Sequence, residues 1–519
     1  MRMRRFALAG GALLLFALGL LAAEAACRIY LPVHVQPPVD EKYALFLAEN
    51  ADPFFRIERR DGGQILTQLP TVAKSLHGRV FLLPKPPGVR RILVVGESSA
   101  EITGFGIERR SLPGIEIMNC SVGGGSLETV ENRFDECAQM APDAVVVIFG
   151  NNLFYRHVPA SLALQRAARL LRRSRLILWL AERKERLDLE TAFTPEVRLQ
   201  ALERVLRKIA RECRRQNVPL ILSTMPSNLW SPPQTQGDDL VAPKFLEAQR
   251  LHDLGRAREA VELLVGELGR RPSALWHFTI ADWLYHDRKD YRGAYEHLAA
   301  ARDLDPARKR ISTAVNALIR RVAADERAAL VDADQRIRDL APHGIAGWET
   351  FSDPQHLIMY YFESWGLEVL SLTDHGGTAA KGGWPAVPPE PELPLDLYLR
   401  SNIAIWWDKT WIVQMAIRRP ADVLKDGEAA VRSLWHSPGE QSDALLQLAE
   451  ALWRSGFHRQ ALSFNETAGR LAPAAGAPPL QRGRFYLRAG ERALAGREFR
   501  NALARYARKP EAAFFLEKN

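Results

Sequence analysis

Four short blocks of this chain carry residue types that together would make an acyl-transfer site. The β-branched run from Arg91 ends on Gly96-Glu97-Ser98, which offers a serine hydroxyl at the end of a strand. Asn119-Cys120-Ser121-Val122-Gly123-Gly124-Gly125 follows a second short run, and Gly150-Asn151-Asn152 follows a third. Asp353-Pro354-Gln355-His356 sets a carboxylate three residues ahead of an imidazole. A serine nucleophile needs a base, a group that orients the base, and donors aimed at the oxyanion. Ser98, His356 and Asp353 are expected in the first three roles. The backbone N–H groups of Ser98 and Gly124, with the Asn151 side-chain amide, are expected to form the oxyanion hole. Glycine fits such a loop because a side chain would block close approach of the backbone to substrate. A serine directly ahead of a helix is also a common N-cap, and that role is compatible with catalysis.

The elements needed to position these blocks are legible around them. Strands are expected at the run from Arg91, at Gly114 to Met118, Asp143 to Phe149, Val218 to Thr224 and Ala328 to Val331. Helical spacing covers Ser126 to Met140 and Pro195 to Asn217, the latter with Thr194 as N-cap and Pro195 at the first helical position. Alternating strands and helices predict a doubly wound parallel sheet, whose carboxyl edge gathers ligand-binding residues. A rival reading is the nucleophile elbow G-x-S-x-G. Ala100 stands where its last glycine belongs, and an Asp only three residues before the His is foreign to it. A phosphate-binding loop fits less well still, because Gly96 to Gly106 lacks the Lys and spacing of a Walker motif and does not match G-x-G-x-x-G.

In this order the four blocks resemble those of the SGNH, or GDSL-type, hydrolase family, over roughly Arg91 to Trp365 apart from a large insertion. The resemblance implies an α/β fold, a flavodoxin-like three-layer α/β/α sandwich. It also implies esterase, deacetylase or lipase chemistry with neither a metal nor an organic cofactor. Two departures stand out: Glu97 replaces the usual Asp, and Asn152 stands where the family commonly has Asp. Gly150-Asn151-Asn152-Leu153-Phe154-Tyr155 is similar to a loop in a membrane-anchored, repeat-containing branch of these hydrolases. Phe154 and Tyr155 either line an acyl pocket there or pack the loop.

The insertion has an internal period. Gly255, Ala260 and Pro272 recur as Lys289, Ala294 and Pro306, an offset of 34 residues that matches the tetratricopeptide helix hairpin. Ala248 occupies the small position that lets paired helices approach, whereas the second unit has Asp282 there, beside Ala281. Ala449, Gly456, Ala461 and Pro473 repeat the same offsets, and Gly483, Gly490 and Ala495 follow by 34 residues again. So few adjacent repeats need a core or one another for support. The expected organisation is an anchor or signal at 1–28, a lead-in at 29–90, and the first part of the hydrolase domain at 91–240. Inserted repeats at 241–325 precede the final hydrolase part at 326–374; a Pro-rich linker at 375–394 leads to C-terminal repeats at 395–519.

Arg2, Arg4 and Arg5 precede an apolar run from Phe6 to Ala23, long enough to cross a bilayer core. Positive charge ahead of it predicts an inner-membrane anchor with the rest of the chain outside the cytoplasm. Ala23-Glu24-Ala25 offers a signal-cleavage site, and cleavage would make the protein secreted. The mixture of Arg and Leu from Leu162 to Leu187 suits a membrane-surface helix, a lid or an outer helix packed on the repeats. Trp406, Trp407 and Trp411 are read as core. The net charge of +9 is spread along the chain without a concentrated tract, so nucleic acid is not expected as a partner. Cys120, Cys137 and Cys213 have no metal-ligand spacing, and one disulfide among them remains open.

These readings converge on an extracytoplasmic serine esterase acting on an acyl ester, with an O-acyl group on an envelope glycan as the substrate suggested by location and family habit. An acyltransferase on the same triad is one alternative. The other is a non-catalytic scaffold whose repeats bind envelope proteins.

Overall fold

The computed structural model describes residues 19–26, 28, 55–60, 63–68, 79–109, 112–154, 194–234, 237–373, 384, 386, 393–400, 411–505 and 510–519. The chain divides into two compact units, the first formed by 1–222 with 321–330 and the second by 223–320 with 331–519. Most of the apolar run Phe6 to Ala23 lies outside the described residues, as do Tyr155, Leu162 to Leu187 and Trp406-Trp407. Among the described residues no helix is long and apolar enough to cross a membrane.

The first unit opens with a sheet that the sequence did not announce. Strands β1 (Phe55–Arg60), β2 (Gly63–Gln68) and β3 (Val80–Leu83) pair antiparallel. Phe55, Leu66 and Phe81 are buried, while Arg56 to Arg59 are exposed. Such a one-sided, charged edge reads as loop because its alternation is broken.

The central sheet is built on strands of a different kind. Strands β4 (Arg90–Gly96), β5 (Ile115–Asn119), β6 (Ala144–Ile148), β7 (Leu220–Ser223) and β8 (Ala329–Val331) lie in the order β5-β4-β6-β7-β8. β4 pairs in parallel with both β5 and β6. Ile92 to Val95 and Ala144 to Ile148 are buried throughout, as strands covered on both faces must be, which is why they appear as unbroken apolar runs. The chain reverses direction across the sheet between β4 and β6, the switch point at which such sheets open a crevice.

Helices α1 (Ser98–Glu108), α2 (Leu127–Cys137) and α3 (Pro195–Arg215) complete the first unit's regular core. The Ser126 and Thr194 hydroxyls accept from the N–H groups of Thr129 and Val197, as N-caps should. Ser98 departs from the expected capping role. The N-cap is Glu97, in extended conformation and without a side-chain cap bond, so Ser98 already lies in the first helical turn. The reason is that the Glu97 carbonyl accepts the Glu101 N–H at 2.9 Å, the first helical bond, so the helix begins one residue ahead of where a Ser98 cap would start it.

The second unit is largely helical. Helices α4 (Pro243–Asp253) and α5 (Ala257–Leu268) pack as a pair, as do α6 (Ala274–His286) and α7 (Tyr291–Asp303). Next come α8 (Thr313–Glu326), which enters β8 at the border of the two units, then α9 (Ala333–Leu340) and α10 (Met359–Thr373). Further along are α11 (Pro420–Leu434), α12 (Pro438–Arg454), α13 (His458–Leu471), α14 (Ala477–Arg488), α15 (Arg492–Arg505) and α16 (Pro510–Lys518). Ala248, Ala260, Ala294, Ala449, Ala461 and Ala495 are fully buried, the small positions that allow paired helices to close up. Gly255, Gly456 and Gly490 take left-handed backbone at the turns between paired helices, and Lys289 adopts it at the corresponding place.

Buried charge ties the inserted helices to the C-terminal ones. Asp253 on α4 receives Arg484 Nε and Arg488 Nε, each at 2.7 Å. Arg488 and Arg454 share Glu450 at 3.0 and 3.1 Å, and Arg454 grips both oxygens of Asp282 at 2.8 Å. Asp282, the misfit in the repeat pattern, is thus an ion-pair partner, while Ala281 beside it is fully buried. Burial pushes the Asp253 carboxyl up, but Arg484 and Arg488, helped by His252, outweigh it and hold it well below the carboxylate range. For Glu450 the same contest, with Arg488 and Arg454 prevailing, leaves a value of about 2.

Depressed carboxylate pKa values stabilise the fold above the ordinary value near 4 and lose that contribution as pH falls through the native one. Urea melts are therefore expected to show the second unit weakening from about pH 4.5 downward. Arg488→Met, which takes one of two guanidinium partners from both Asp253 and Glu450, should cost about 3 kcal/mol at pH 7. An unchanged melt would show that the ladder contributes nothing net.

Candidate functional site

In the first unit the site residues sit at the carboxyl ends of β4, β5 and β6. From Arg91 to Ala100 every residue is buried except Ser98, which is half-buried. Gly96 admits this geometry because a Cβ there would lie 2.0 Å from the Ile148 carbonyl oxygen of the neighbouring strand. Beyond β5 the ladder continues: Cys120 N–H donates to the Val94 carbonyl at 2.8 Å, and Val122 N–H to the Gly96 carbonyl at 3.1 Å. The glycine loop is thereby drawn alongside Ser98, and a Cβ on Gly123 would lie 4.0 Å from that of Ser98. Gly124 has φ of +71°, a left-handed conformation in which a side chain would be strained.

Glu97 joins the serine block to the asparagine block. It is fully buried, and its two carboxylate oxygens each accept one backbone N–H, from Asn151 at 3.0 Å and Asn152 at 2.8 Å. The Gly150-Asn151-Asn152 turn is thus held by the residue immediately before Ser98. Ser98 follows β4 and Asn151 follows β6, so the two flank the switch point. The Asn119 amide supports the loop from beneath: Oδ1 accepts the Ser121 N–H at 3.3 Å, and Nδ2 donates to the Glu101 carbonyl at 2.9 Å. Leu153 is buried and Phe154 half-buried.

Asp353 and His356 belong to the second unit, where they meet as expected. His356 Nδ1 lies 2.7 Å from Asp353 Oδ2, while Asp353 Oδ1 accepts the N–H groups of Gln355 at 2.7 Å and His356 at 2.8 Å. Burial pushes the Asp353 carboxyl up, but the His356 ring and the two N–H donors prevail and hold it below its ordinary value. It therefore stays ionised and selects the tautomer that donates from Nδ1 and carries its lone pair on Nε2. Ser352 N–H donates to the His356 carbonyl at 2.9 Å, closing the loop on itself.

An arginine far away in sequence braces this loop. Buried Arg310, at the exit of the inserted helices, donates through Nη1 to the carbonyls of Asn228 at 3.0 Å and Ser231 at 2.8 Å, and through Nη2 to Asp305 at 3.0 Å. Asn228 N–H in turn donates to the Pro354 carbonyl at 3.2 Å, and Gln355 Nε2 to the Lys309 carbonyl. The segment that follows the paired helices thus ends in a clamp on the Asp-His block. Sequence reasoning missed Arg310 and Asn228, which carry no local signal, and missed the double-acceptor role of Glu97.

Other candidates are disfavoured by their surroundings. Cys120, Cys137 and Cys213 are free and buried. Burial, then Cys137, pushes the Cys120 thiol far above its ordinary value, and burial takes Cys213 to about 12, so neither is a thiolate at neutral pH. His252, His277, His286 and His297 sit on the paired helices of the second unit, away from the Asp353-His356 loop in sequence. Among the described residues no group of three or more His, Cys, Asp and Glu is arranged to hold a metal ion. No protein-family model matches the chain, and neither does any curated protein.

Glu97→Ala orphans two buried N–H groups, an expected loss of about 1–3 kcal/mol for each that water does not reach. Hydrogen exchange at Asn151 and Asn152 should accelerate in that variant, and unchanged protection would refute the clamp. Arg310→Met is expected to destabilise the second unit by about 3–5 kcal/mol, read by urea titration, because Asp305 is left as an uncompensated buried charge.

Proposed function

We propose that this chain is an extracytoplasmic serine esterase of the SGNH type, with Ser98 as nucleophile, His356 as general base and Asp353 as the group that orients it. Ser98 Oγ attacks the ester carbonyl as His356 Nε2 takes its proton. The N–H groups of Ser98 and Gly124, with the Asn151 amide, receive the oxyanion. His356 then protonates the departing alcohol, and water releases the acyl group from Ser98 by the same steps in reverse order. The substrate class is an acyl ester, with an O-acylated envelope glycan as the preferred candidate. The Phe6 to Ala23 run serves as the membrane anchor in this reading, and the paired helices serve as tetratricopeptide-like repeats open to a protein partner.

The observation that carries this reading is the accessibility of Ser98 alone in an otherwise buried stretch from Arg91 to Ala100. A merely structural serine has no need of that exception. The strand order, 2-1-3-4-5 when the five are numbered along the chain, supports it as the flavodoxin-like arrangement. The Asp353-His356 bond supplies an ionised carboxylate on the correct ring nitrogen.

A fluorophosphonate probe is expected to label the full-length protein, and Ser98→Ala to abolish labelling. Labelling that survives in Ser98→Ala would overturn the assignment. On an aryl acetate, Asp353→Asn should lower kcat by a factor on the order of 10⁴, since it stabilises the wrong tautomer.

A further inference from the structure

One buried acid in the first unit has no part in the mechanism above. Glu101 lies one helical turn after Ser98 on α1 and is 5% exposed. A Cβ on Gly123 would sit 3.0 Å from Glu101 Oε2, so the Gly123 backbone packs directly against this carboxyl. Its other oxygen, Oε1, is buried with no hydrogen-bond partner. A side chain at position 123 would therefore fall between the Glu101 carboxyl and the Ser98 Cβ. The Glu101 backbone belongs to the same assembly, because its carbonyl accepts Asn119 Nδ2 at the root of the glycine loop.

We propose that Glu101 is a positioning residue whose carboxyl props the Gly123-Gly124 turn beside Ser98 and so sets where the Gly124 N–H points. The inference rests on the serine esterase reading for its catalytic consequence, though the prop itself does not depend on it. An ionised carboxylate with one oxygen orphaned and no cation beside it would be costly to bury, whereas the protonated group accepts from Gly123 without that charge. Burial pushes this carboxyl up to about 7, the Gly123 N–H offsetting only part of the effect. The geometry also accounts for the choice of glycine at 123, where no left-handed backbone demands it.

Three variants of the full-length protein test the assignment. Glu101→Gln copies the neutral acid in shape and retains the acceptor for Gly123. Glu101→Ala removes the prop, and Glu101→Asp, which should fold if the Ala variant does not, withdraws it by one methylene. On an aryl acetate, Ala and Asp are expected to lower kcat about tenfold to a hundredfold with KM little changed, the cost of a misplaced donor. Gln should stay within about threefold of the parent. Amide exchange at Gly123 and Gly124 should accelerate in Ala and Asp but not in Gln.

A Gln variant as impaired as Asp, or unaltered exchange in Asp, would overturn the proposal. Absent Ser98-dependent turnover in the parent would refute the esterase reading, while the exchange data would still decide the prop.

Discussion

A carboxylate at the end of a fully buried strand is the constraint on which the first unit's site depends. Glu97 has no water to turn to, so both its oxygens must be satisfied within the protein, and they are satisfied by the backbone of Asn151 and Asn152. That requirement locks the turn after β6 to the turn after β4. The reverse also holds: two buried N–H groups in a turn that continues no ladder would be orphaned without that carboxylate. Ser98 is next in the chain, and its partial exposure is the one exception in a stretch otherwise withdrawn from solvent.

The second unit applies the same economy with opposite charges. Buried Asp253 and Asp282 would each be too costly to bury alone, and they are tolerated because Arg484, Arg488 and Arg454 are interleaved with them and with half-buried Glu450. This ladder runs from the inserted helices to the C-terminal ones, segments separated by about half of the unit's sequence. Arg310 repeats the device on a smaller scale, joining the exit of the insertion to the loop that carries Asp353 and His356. The helices ahead of the Asp353-His356 loop are accordingly tied to it through Asn228 and Lys309.

Much of this was legible along the chain. The buried strands showed themselves as unbroken apolar runs, and Thr194 with Pro195 marked the start of α3. Asp353 and His356 were readable because three residues of one turn suffice to bring them together. The 34-residue offsets located the buried alanines of the paired helices. What escaped had no short-range signature: β1 to β3 break their alternation, and the partners of Arg310 lie up to 82 residues away. The capping role expected of Ser98 failed because the first helical bond goes from the Glu101 N–H to the Glu97 carbonyl, which makes Glu97 the cap.

By itself the sequence determined which residue types follow which strands, since periodicity and turn chemistry act over a few residues. It also determined the Asp353-His356 pairing and the repeat period, for the same reason. Only the tertiary structure decided which N–H groups Glu97 must satisfy, that Asp282 is an ion-pair partner, and that Glu101 lies under the glycine loop. These are consequences of burial. A charged or polar group taken out of water has to find its partner wherever the fold brings one, and that partner is set by packing rather than by position in the chain.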